Sequence, residues 1–134
     1  MIDESIRVLI VDDKLQRDDH IEDTLASAGF AIRVVHDSAS AAGALDIWRP
    51  AVTVLDLRSP SHEARSFGAA LTARPEDESV PVVLIAALPN LMKWLPVIPA
   101  GLVPAPIDAE HLVATVLRVA RGAAESTGSP LASR

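Results

Sequence analysis

Apolar positions along the chain fall into short runs separated by stretches of mixed polarity. Val8-Leu9-Ile10-Val11 and the runs over residues 51–57 and 81–85 are almost unbroken, as expected of strands buried on both faces. Residues 31–35 instead alternate around Arg33 and read as an edge strand, and Leu102-Val103 reads as a minimal fifth strand. The intervening stretches carry helical spacing. Leu15, Ile21, Leu25 and Ala28 form an inward set closed by Gly29. Ser38 is placed to cap a helix over 39–48, whose apolar side holds Leu45 and Trp48 before Pro50 ends it. Residues 65–74 predict a short helix with Phe67, Ala70 and Leu71 inward, closed by Pro75. Asp108 caps a last helix to about residue 121, with Leu112, Val116 and Val119 on one stripe and Val113 and Leu117 beside it.

Strands alternating with helices imply a parallel sheet covered on both faces, an α/β three-layer sandwich. The flavodoxin-like (βα)5 arrangement, with strand order 2-1-3-4-5, sets the first and third strands side by side. Both strands run into acids at their carboxyl ends: Val11 into Asp12-Asp13, and Leu55 into Asp56 ahead of the turn at Pro60. In open parallel sheets the crevice beyond the carboxyl ends is where ligands bind. Asp12, Asp13 and Asp56 are therefore expected to converge there.

The chain of 134 residues suits one domain over residues 1–121, and 49% hydrophobic residues suffice for a core without staples. From Gly122 to the end, Ala, Ser, Gly and Pro dominate, so 122–134 is expected to be a disordered tail or linker. The absence of Cys removes disulfides and thiolate chemistry. The opening Met1-Ile2-Asp3-Glu4 is acidic where a secretory signal is basic, which points to a cytoplasmic protein. A net charge of −6 argues against nucleic acid as a partner of this domain. The apolar stretch 81–107 is long enough to span a bilayer, but six of the ten prolines lie in it, so no membrane helix is expected and the segment 88–99 should be a short or irregular helix. His20, His36, His62 and His111 lack metal-ligand spacing, and no glycine-rich nucleotide cradle is present.

Carboxylates about 5 Å apart repel by about 3 kcal/mol per pair at an effective dielectric near 20, so such a cluster holds a proton or a hard cation. Mg²⁺ suits oxygen ligands of this kind, and with the ion present a carboxylate can attack a phosphoryl group. Asp56, on the central strand, is placed for that role.

Val-Asp-Asp at 11–13, Leu-Asp-Leu-x-x-Pro at 55–60, Pro-Val-Val-Leu-Ile at 81–85 and the spacing to Ala100-Gly101 resemble the response-regulator receiver domains of two-component signalling, over roughly residues 5–121. The resemblance implies that Asp56 is the phosphoacceptor, that Asp13 binds Mg²⁺ directly and Asp12 through water, and that the main-chain carbonyl of Arg58 completes the metal shell. It implies a sensor histidine kinase or another signalling protein as partner, and a signalling module rather than an enzyme. A phosphoaspartyl hydrolase of the haloacid dehalogenase type would want a second Asp where Arg58 stands.

The chain departs from the family at the switch residues. Ala86 replaces the usual Thr or Ser after the fourth strand, Ala105 the usual Lys, Leu102 the usual aromatic, and Glu63-Ala64 the usual Asp-Gly pair. Two readings follow: a phosphorelay receiver that accepts a phosphoryl group at Asp56, and a degenerate pseudo-receiver that binds proteins independently of phosphorylation. Leu91, Met92, Trp94, Leu95, Val97 and Ile98 crowd a proline-rich segment that cannot bury them all along one long helix. Met92, Trp94 and Leu95 are therefore expected to form an interaction surface for a protein partner, or for a second copy through residues 91–103.

Overall fold

The computed structural model describes residues 6–11, 21–56, 62–72, 74–75, 79–86, 100–104 and 106–128. Five parallel strands, β1 (Arg7–Val11), β2 (Ala31–Val35), β3 (Val52–Asp56), β4 (Val82–Ala86) and β5 (Gly101–Pro104), lie in the order β2-β1-β3-β4-β5. The helices among the described residues are α1 (Ile21–Ser27), α2 (Ser38–Ile47), α3 (His62–Thr72) and α4 (Ala109–Gly128). The predicted fold class and strand order are what the structure shows.

Alternation along the strands divides the core into two layers. Val8, Ile10, Val54, Ile85 and Val103 face Leu25 of α1 and Leu112 and Val116 of α4. Leu9, Leu55 and Leu84 face Leu45 of α2 and Phe67 and Leu71 of α3. The unbroken apolar runs are thus explained by helices on both faces, and the alternation around the exposed Arg33 by the edge position of β2.

Local details differ from expectation in instructive ways. Asp37, not Ser38, caps α2: its carboxylate accepts from the Ser40 N–H at 2.7 Å, and its backbone is extended at φ −142°. A carboxylate at this end also meets the positive pole of the helix, an advantage the Ser38 hydroxyl lacks. The same Ser40 N–H holds the Asp37 carboxyl below its ordinary pKa. Ala28 is exposed, because α1 ends at Ser27 and the chain turns through Gly29 at φ +101°, a left-handed conformation that favours glycine. Phe30 enters the core instead. Ala70 is exposed as well, since the buried stripe of α3 runs through Phe67, Gly68 and Leu71.

Asp108 does cap α4, accepting from the His111 N–H at 3.1 Å. The helix runs on to Gly128 rather than stopping near residue 121. A single Gly122 costs only about 1 kcal/mol against Ala, and the helix formers Ala123, Ala124 and Glu125 follow it with no proline before Pro130. α4 packs closely on β5 at Gly101, where an added Cβ would come within 2.7 Å of Thr115 Cγ2. The expected helix at 88–99 and the inward Leu15 lie outside the described residues.

Candidate functional site

The carboxyl end of β3 ends in Asp56, which is only 2% exposed although it is an ionisable residue at a strand terminus. Burial follows from its place in the sheet: β3 is the middle strand, with β1 on one side and β4 on the other, and Asp56 sits opposite Ile85 of β4. A carboxylate removed from water in this way is retained only where charge or hydrogen bonds compensate it.

Register carries the rest of the geometry. Val11, the last residue of β1, pairs with Leu55, the residue before Asp56. Asp12 and Asp13 follow Val11 directly in sequence. The strand ends that lead into the three acids are therefore adjacent, in the arrangement expected from order 2-1-3-4-5. Asp12, Asp13 and Arg58 themselves lie outside the described residues, as do Met92, Trp94, Leu95 and Ala105. Among the described residues no group of three or more His, Cys, Asp or Glu could hold a metal ion. The described donor that suits Mg²⁺ is Asp56, a hard anionic oxygen ligand at the crevice end of the sheet.

On the other side of Asp56, Ala86 closes β4 opposite Pro104, the last residue of β5. Leu102 pairs with Leu84 and packs, half-buried, against the layer that contains α2 and α3. The β4 and β5 ends thus bring aliphatic and imino residues toward the crevice end of the sheet.

Three features escaped the reading of the sequence. The hydroxyl of Thr53, on β3, is fully buried with no hydrogen-bond partner among the described residues. A lone Thr in an apolar strand looks the same in sequence whether its hydroxyl is paired or not. Trp48, expected only as an apolar helix position, lies beneath two guanidinium groups, Arg33 at 5.0 Å and Arg7 at 6.0 Å from its ring centroid. Arg7 also donates to the Trp48 carbonyl at 2.7 Å, which answers one of the carbonyls at the end of α2. Arg49 takes a left-handed conformation, φ 55°, at the position after that helix where Gly or Asn is usual.

No protein-family model matches the chain, and no curated protein matches it in sequence. Solved structures do match its fold. The signal receiver domain of a signal transduction histidine kinase from Syntrophus aciditrophicus is similar at TM-score 0.74 and 21% identity, covering 88% of this chain and 92% of that one. The receiver domain of Francisella response regulator 1452 is similar at TM-score 0.71 and 20% identity, covering 88% and 98%. The chemotaxis response regulator CheY4 of Vibrio cholerae is similar at TM-score 0.70 and 23% identity, covering 87% and 99%. Among the described residues no helix is long and apolar enough to cross a membrane. With the sheet order, the two helical layers and these likenesses together, the chain has the fold of a response-regulator receiver domain.

Proposed function

We propose that this chain is a phosphorelay receiver of two-component signalling, accepting a phosphoryl group on Asp56 from a phosphohistidine of a sensor kinase. The observation that carries this reading is the buried carboxylate of Asp56 at the end of the central strand, beside the strand end that leads into Asp12-Asp13. In the transfer, a carboxylate oxygen of Asp56 attacks phosphorus, the P–N bond breaks, and the imidazole leaves with the electron pair and takes up a proton. Asp12, Asp13, Asp56 and the main-chain carbonyl of Arg58 are the residues that would hold Mg²⁺. When bound, the ion neutralises charge on the phosphoryl oxygens. Burial of Asp56 excludes bulk water from the acceptor and so protects the acyl phosphate from hydrolysis. The chain acts here as a signalling module in the cytoplasm, with no separate substrate to turn over.

A specific observation favours a second reading, a degenerate receiver that binds a protein whether or not it is phosphorylated. Ala86 ends β4 opposite Pro104, and Ala105 follows, so neither a hydroxyl nor an ammonium is supplied where the family usually has them. Binding would then rest on Met92, Trp94 and Leu95, with a signalling protein or a second copy as partner.

Acetyl phosphate with Mg²⁺, read by intact mass, separates the two. Wild type should gain one phosphoryl group and Asp56→Asn none. An unmodified wild type refutes the acceptor reading. Light scattering over a concentration series, on wild type and Trp94→Ala, then tests self-association, which a strictly monomeric wild type would exclude.

A further inference from the structure

At the opposite pole of the sheet from Asp56, a cavity of about 460 Å³ opens between the last turn of α2 and the chain entering β4. Leu45 and Val80 contribute apolar wall, while Asp46, Arg49, Arg74 and Ser79 contribute polar groups. The volume falls in the range of small-molecule pockets, which combine apolar lining with a few polar groups. Because Pro50 and Val80 precede the amino ends of β3 and β4, the cavity lies about 15 Å from Asp56, the length of a five-residue strand.

The bland account of arginines here is that they serve the carbonyl ends of helices or balance a local acid. It covers most of them. Arg7 donates to the Trp48 carbonyl at 2.7 Å. Arg33 covers the Trp48 ring. Arg74 pairs with Asp46, a carboxylate of the cavity wall, at 3.3 Å. The Ala44 carbonyl accepts the main-chain N–H groups of Trp48 and Arg49. The guanidinium of Arg49 is not used in any of these ways, yet it lines the cavity from a backbone position where glycine is the favoured residue. Its fork of N–H donors matches the paired oxygens of a carboxylate or a phosphate. Among the described lining residues two guanidinium groups, Arg49 and Arg74, stand against one carboxylate, Asp46.

We propose that this cavity binds a small organic oxyanion, a carboxylate or phosphate, with Arg49 as the anchoring residue. This site is independent of the acceptor chemistry at Asp56. The test is an amide NMR titration of the full chain with citrate and, separately, with inorganic phosphate, both without Mg²⁺. It is run on wild type, Asp56→Asn and Arg49→Gly. Glycine accepts the left-handed backbone at 49, so Arg49→Gly should remain folded. Saturable shifts should appear at Leu45, Arg49, Ser79 and Val80, equally in Asp56→Asn. Arg49→Gly should bind at least about tenfold more weakly, the loss of one charge-assisted hydrogen bond. Saturation by only one of the two probes supports the site and selects the oxyanion. Absence of saturation with either, equal binding by Arg49→Gly, or shifts confined to residues around Asp56 would overturn it.

Discussion

Gly101 offers the sharpest test of how the sheet is joined to its last helix. A Cβ added there would stand 2.7 Å from Thr115 Cγ2, 3.1 Å from Val119 Cγ2 and 3.4 Å from Val83 Cγ2. The first distance lies below any normal carbon contact, and its partner is a branched methyl on a buried helical residue rather than the end of a flexible chain. Rotating Thr115 away is resisted by the turn that precedes it, so Gly101→Ala must push α4 off β5 or strain a rotamer. Overpacking of this kind costs about 1–3 kcal/mol. The lower entropy of the unfolded Ala chain returns about 0.4–1 kcal/mol. A net loss of about 1–2 kcal/mol is expected, read as a lower urea midpoint with an unchanged slope. Thr115→Ser removes the clashing methyl and alone costs about 0.8 kcal/mol, one buried methylene equivalent. Combined with Gly101→Ala it should recover about 1 kcal/mol relative to the sum, the coupling of two residues in contact. A neutral or stabilising Gly101→Ala, or strict additivity in the double variant, would refute close packing at this point.

Thr53→Val should stabilise the protein by about 1 kcal/mol in urea unfolding, because it removes a buried hydroxyl that has no partner among the described residues and keeps the side-chain shape; a loss of similar size would reveal a partner for that hydroxyl. Asp37→Ala should lower the urea midpoint at neutral pH, and the difference from wild type should narrow as pH falls below 3.8, the ordinary aspartate value. The sign follows from the lowered pKa: the folded state favours the charged carboxylate, so its contribution is full above the unfolded value and is lost as acid protonates the cap. A difference that stays constant into acid would show that the hydrogen bond to Ser40 does not depend on that charge. Under the acceptor reading, beryllofluoride with Mg²⁺ should alter amide exchange near Asp56 but leave β4 and β5 little changed, since Ala86 and Leu102 offer neither a hydroxyl nor an aromatic ring to follow the phosphoryl group; broad new protection over residues 100–104 would demonstrate another route.

The architecture was legible because burial on two faces leaves a direct trace in sequence. Runs such as Val8–Val11 carry no polar residue, and a parallel sheet between helical layers is the arrangement that needs such runs. The position of Asp56 was equally legible, since a carboxylate that ends an apolar run must lie at a strand's carboxyl end. Less visible were choices between neighbours of similar chemistry. Asp37 and Ser38 are both good caps, and only the backbone decides which one reaches the Ser40 N–H. Ala28 and Ala70 are too small for pattern alone to say which side of a turn or helix they occupy. Composition alone hides the end of α4, because Ala and Glu extend a helix as readily as they fill a linker. The arginines over Trp48 come from β1 and β2 and meet its ring at the end of α2, and nothing in local sequence reports a contact across that separation.

The two functional readings differ over one physical quantity. Acyl phosphate at Asp56 would exchange one negative charge for about −1.5 to −2. An ammonium about 4 Å away contributes about 4 kcal/mol toward that charge at an effective dielectric near 20, close to three orders of magnitude in an equilibrium constant. Ala105 supplies none of it, and Ala86 supplies no hydroxyl. The acids at 12, 13 and 56 and the burial of Asp56 are thus the parts that favour metal and acceptor, while the ends of β4 and β5 leave the product less well compensated. Under the acceptor reading, Mg²⁺ must carry nearly all of the compensation, so the phosphorylated state should depend on the ion more steeply than in a receiver that keeps its lysine. Under the binding-module reading, Asp56 persists as a buried strand-end group and the partner surface operates without it. Asp56 then matters only to stability, and its replacement by Asn leaves partner binding unchanged.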